Sequence, residues 1–74
     1  MSNPARKPYI TELVHYESYG TPGGEHPKTC RPAVVVEVRS ESSLQLAVFN
    51  PNGLYFNTTP HDEDRAGGTW HFAH

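Results

Sequence analysis

No segment of this chain keeps helical periodicity for ten residues without meeting a proline or a glycine. Seven prolines and six glycines lie mostly between the apolar runs, where each ends one element and starts the next. Long helices are thereby excluded, and short strands joined by turns remain.

The clearest strand is "RPAVVVEVRS" (31–40). Strict alternation sets Val34, Val36 and Val38 on one face, with Ala33, Val35, Glu37 and Arg39 on the other. After the polar turn "SESS", "LQLAVFN" (44–50) sets Leu44, Leu46 and Val48 opposite Gln45, Ala47 and Phe49, and the two segments read as a hairpin. "NPNG" (50–53) is a tight turn, because Pro51 presets φ while Asn52 and Gly53 tolerate left-handed backbone. It leads into a short strand, "LYFN" (54–57), expected to pair back on 44–50.

Upstream, "YITELVHYESY" (9–19) is rich in β-formers, and "TWHFA" (69–73) follows the polar loop "TTPHDEDRAGG" (58–68). The expected fold is all-β: a small antiparallel barrel or sandwich of about five strands, SH3-like in size. Residues 9–74 make the single domain, and 1–8, "MSNPARKP", an extended arm ordered only when something binds it. The core expected from this phasing is Val14, Tyr16, Val34, Val36, Val38, Leu44, Leu46, Val48, Leu54, Phe56, Trp70 and Phe72.

A chain of 74 residues buries a small core, and only 35% of its residues are hydrophobic. Small scaffolds commonly offset such a deficit with disulfides, metals or partner chains. The single cysteine, Cys30, excludes an intramolecular disulfide. Net charge is −2 with pI near 6.2, and the six Lys and Arg are scattered, so no nucleic-acid footprint exists. No apolar run is long enough to span a membrane, and "MSNPARKPYI" has no signal-peptide core. The expected location is the host cytoplasm or a virion, without secretion through a signal peptide.

"YGTPGGEHPKTC" (19–30) looks at first like a phosphate-binding loop. Such a loop needs glycine directly before its lysine and a helix after it. Here Pro27 precedes Lys28 and a β run follows, so the P-loop fails; the dinucleotide glycine spacing fails too. Thr21-Pro22-Gly23-Gly24 fits a type II turn. A residual reading leaves bare amides at Gly23 and Gly24 open to a ligand or partner backbone, flanked by Tyr16, Tyr19 and His26. On that alternative the protein binds or sequesters a nucleotide or metabolite.

Five histidines are many for this length. His71 and His74 lie three apart, and Cys30, His15, His26 and His61 could complete a zinc-stabilised site, the second alternative. A strand, however, points His71 and His74 to opposite faces, and no C-x-x-C or H-E-x-x-H spacing occurs. No metal or other cofactor is therefore expected. Cys30 with His15 or His71 could be drawn as nucleophile and base, but no third group is positioned and no catalytic residue is assigned. His61-Asp62-Glu63-Asp64 lacks the calcium-loop pattern and reads as a solvated loop tip.

Two stretches, "VHYESYGTPGGE" and "NPNGLYFN…GGTWHF", resemble a family of short uncharacterised proteins of actinobacteria and their phages. The likeness covers about residues 14–72. In that family the first stretch reads like HYVSYGTPGGE, a "CRAA"-type stretch matches Cys30-Arg31-Pro32-Ala33, and "GTWH" matches Gly68-Thr69-Trp70-His71. Glu17 and Asn52 depart from it, and the arm lies outside it. The resemblance implies no catalytic residue and no cofactor; it implies a phage or prophage context, where small β domains serve as accessory virion proteins.

The function expected is a non-enzymatic interaction module, a phage capsid or virion decoration protein docking on a larger protein lattice and on sister copies, without nucleic acid or membrane. Val35, Phe49 and Tyr55 alternate out of phase with the inward set and would form the contact surface. Arg6 and Lys7 on the arm would enter an acidic groove of the partner.

Overall fold

The computed structural model describes residues 4–19, 28–51 and 53–74. The protein is all-β, as expected: β1 (Leu13–Glu17), β2 (Cys30–Val38), β3 (Leu44–Asn50), β4 (Gly53–Thr59) and β5 (Thr69–Phe72) form one antiparallel sheet. Among the described residues there is no helix. The strand order is β4-β3-β2-β1-β5, a four-strand meander to which the last strand returns beside the first.

The sheet curls, so that Asn57 on β4 reaches the Tyr16 hydroxyl on β1. Beyond β4 the chain crosses to the free edge of β5, where the Trp70 N–H donates to Pro60 O and the Asp62 N–H donates to Trp70 O, both at 3.0 Å. His61 and Trp70 thereby form a single parallel bridge. The concave face holds the core: Val14, Tyr16, Ala33, Val35, Leu44, Leu46, Val48 and Trp70, with Val38 and Phe72 packed against it.

Two strands present the opposite face from the one their alternation predicts. On β2, Ala33 and Val35 are buried, whereas Val34 is half-buried and Val36 is 42% exposed. The cause is a β-bulge between Val35 and Glu37, which inserts one residue and resets the phase, so that Val38 returns to the inner face. Val38 made the even series look inward, but the alternation does not run unbroken. On β4, Leu54 and Phe56 face out, at 50% and 62% exposure. The turn pairs Asn50 with Gly53, so Phe49 stands opposite Leu54 and Ala47 opposite Phe56. Directly paired residues share a face, and Phe49 already faced outward.

The acidic loop is not a solvated tip throughout. His61 is fully buried against the Trp70 ring, 4.6 Å between centroids, with Nε2 2.8 Å from the Glu63 carboxylate. The Asp62 carboxylate accepts the Asp64 and Ala66 N–H groups at 2.9 and 3.3 Å, an Asx-type turn that ties the loop down. Glu63 to Ala66 alone stay exposed.

The inverted phase on β2 separates two adjacent valines. Val35→Asp should abolish cooperative thermal unfolding, because an unpaired buried carboxylate costs several kcal/mol in a small core. Val36→Asp should leave the melting temperature within a few degrees of wild type. Equal effects of the two substitutions would place the bulge elsewhere.

Candidate functional site

The convex face of the sheet is apolar across four strands. Leu13 pairs with Val34, Val34 with Ala47 and Ala47 with Phe56, one continuous rung from β1 to β4. Phe49 and Leu54 form the neighbouring pair, and both are about half exposed. Large apolar side chains gathered on one face, rather than scattered singly, mark a contact surface. The outermost strand, "GLYFNTT", pairs among the described residues with β3 alone and carries neither charge nor proline, the usual guards of an exposed edge.

Of the residues expected at this surface, Phe49 is there. Val35 is not: it is 1% exposed beneath the bulge. Tyr55 pairs with Val48 and so lies on the inner side, its ring edge-on to Tyr16 at 6.2 Å. Tyr16 itself is a core residue rather than a loop-flanking contact. Its hydroxyl accepts a bond from Asn57 Nδ2 at 3.3 Å, and burial pushes its phenol up to about 12. Tyr19 is exposed, with its ring laid against Gly67 and Gly68. Gly68 has φ +81°, and an added Cβ would meet the Tyr19 hydroxyl, so glycine is required twice over there. Gly23, Gly24 and His26 lie outside the described residues.

On the same convex face, beside the apolar rung, four potential metal ligands converge. His15 pairs with His71 across β1 and β5, Glu17 sets Cys30 at the start of β2 on the same side, and His74 folds back beyond the end of β5. Their ligand atoms all lie within 4.8 Å of one another. Cys30 Sγ is 3.5 Å from His71 Nε2 and 4.0 Å from His74 Nε2. The His15 and His71 rings meet edge-on, as do His15 and His74, while His71 and His74 stack.

Burial holds the His71 imidazole down at about 4, helped by Arg65 and the neighbouring imidazoles, and it lowers His15 too. Burial raises the Cys30 thiol, assisted by Glu17. His15, His71 and Cys30 are thus each shifted toward the neutral form.

No protein-family model, curated protein or solved structure matches the chain. The reading of the site therefore rests on its own geometry.

Linear spacing hid this cluster because its four members come from three strands and a tail. The objection that His71 and His74 point apart holds only on a strand, and β5 ends at Phe72. One signal was available: His15 and His71 each sit out of phase with core neighbours, Val14 and Tyr16 in β1, Trp70 and Phe72 in β5. Two histidines on the non-core faces of paired strands share a surface.

Arg6, expected to reach into a partner, is engaged at home. Its guanidinium forks onto the Glu12 carboxylate, with Nη1 3.1 Å from Oε1 and Nη2 on Oε2, and stacks 4.2 Å above the Phe72 ring. Pro8 is buried, so residues 4–8 lie against the domain; Lys7 stays exposed. A cleft of about 280 Å³ opens between this segment and Glu41, lined by Pro4, Arg6 and Lys7.

The Arg6 guanidinium holds the Glu12 carboxyl below its ordinary value, and the Tyr9 N–H at 3.2 Å adds to this against the effect of burial. A carboxyl depressed in the folded state stabilises the fold above its unfolded value and loses that contribution as pH falls through the folded one. Urea midpoints measured below pH 5 should therefore fall with pH in the wild type and fall less in Glu12→Gln. Parallel pH profiles would show that the pair contributes nothing.

Proposed function

We propose that this protein is a non-enzymatic docking module that joins a larger protein assembly through the β4 edge and the convex face beside it. The observation that carries the reading is the uncharged, proline-free edge strand flanked by exposed Leu54, Phe56 and Phe49. An edge of this kind accepts a partner strand by main-chain pairing, and alternate side chains on one face then supply selectivity. The occupant is thus a strand of the partner protein whose own apolar residues cover the rung from Leu13 to Phe56.

The size is compatible. A stable interface takes about 800 Å² from each side, less than a fifth of the 4529 Å² surface of this protein. The resemblance to short actinobacterial and phage proteins makes a virion lattice the first assembly to test. The domain attaches by its sheet, and the arm, tied down by Arg6 and Glu12, contributes at most Lys7.

Phe49→Lys combined with Phe56→Lys should leave the circular dichroism spectrum and melting temperature nearly unchanged, since both side chains are exposed. Wild-type protein should co-sediment with phage particles from its own host, and the double variant should stay in the supernatant. A wild-type chain that remains monomeric at high concentration and never sediments with particles would defeat the proposal. Self-pairing through β4, read as a dimer lost in the double variant, would replace the virion partner with a sister copy.

A further inference from the structure

We propose that His15, Cys30, His71 and His74 form a tetrahedral zinc site that fastens the start of β2 and the tail after β5 to β1. This inference does not depend on the docking reading.

The donor set is one sulfur and three imidazoles, the mixture that zinc takes tetrahedrally. With Zn–N near 2.0–2.1 Å and Zn–S near 2.3 Å, the edges of such a tetrahedron run to about 3.3–3.6 Å. The Cys30–His71 edge, at 3.5 Å, already has that length, and the Cys30–His74 edge, at 4.0 Å, exceeds it slightly. The widest separation is 4.8 Å. His74 lies past the last strand residue and is exposed, the least constrained of the four ligands.

A second observation points the same way. Among the described residues His15 Nδ1 is buried and has no hydrogen-bond partner, and His71, which turns Nε2 to Cys30, is 1% exposed. An unpaired buried ring nitrogen is costly, and a bound cation would give the His15 nitrogen a partner that the described residues do not supply. No carboxylate belongs to the set, which disfavours calcium, magnesium and manganese, and the thiolate favours a softer ion. Four protein ligands leave no open position for water, so the site is structural rather than catalytic. It supplies a cross-link to a chain whose single cysteine cannot form one.

On binding, the Cys30 thiol loses its proton to solvent and Sγ donates an electron pair to zinc, while the three imidazoles each donate one neutral nitrogen. Nothing is oxidised or reduced.

The test uses the full chain, stripped with chelator and kept reduced, then titrated with zinc and separately with cobalt(II). Zinc should bind with one-to-one stoichiometry. At a hundredfold excess over its dissociation constant it should raise the melting temperature by about 10–20 °C. Cobalt should give the intense visible bands of a tetrahedral ion together with a near-ultraviolet thiolate charge-transfer band. Cys30→Ser should lose that band. His74→Ala should keep the metal-free melting temperature and weaken zinc at least about tenfold. An unchanged melting curve with the weak spectrum of octahedral cobalt would overturn the site. So would zinc binding to His74→Ala with wild-type affinity.

Discussion

Trp70 ties the last strand of the curled sheet to the chain that leaves β4. Its indole N–H donates to Ser42 O at 2.7 Å, which brings the β2–β3 turn down over the core. Its ring packs edge-on against His61 and Phe72, and its backbone forms the bridge to the chain leaving β4. Without these contacts a four-residue strand paired only with β1 would be a weak edge. One buried aromatic residue joins the turn, the acidic loop and the last strand, so the core of a chain with few hydrophobic residues is sealed on the concave side.

That closure determines what the other side can do. Once the concave face is filled, every out-of-phase side chain must face solvent, a partner or a ligand. The convex face divides into two kinds of chemistry. Over β2 to β4 it is aliphatic and aromatic, suited to another protein surface. Over β1, β5 and the start of β2 it is imidazole and thiol, suited to a cation, and there even the outward residues are largely covered: His71, Glu17 and Thr69 are all buried. A docking surface and a cross-link can therefore share one sheet face without competing for residues.

Strand existence was legible in the residues, since no segment keeps helical periodicity for ten residues and β3 runs from Leu44 to Asn50 as its alternation suggests. Which face of a strand turns inward was not. Val34, Val35 and Val36 satisfy either phase, and the bulge that decides between them arises from pairing with β3, not from a local breaker. On β4 the two-residue turn sets the register, and with it the outward placement of Leu54 and Phe56. The Arg6–Glu12 pair was hidden because an arm rich in Pro and charge looks the same whether it docks on its own domain or on another.

The sequence alone pointed to the class of fold, β-strands, and with one cysteine allowed no intramolecular disulfide. The fold class follows from local chemistry, in which proline lacks its N–H and a period of two sets faces. Tertiary structure alone decided which residues meet. His15, Cys30, His71 and His74 are spread over 60 positions of the chain, and only the pairing of β1 with both β2 and β5 brings them together. Contact across a sheet depends on register, and register is set by every strand and turn together rather than by any one segment.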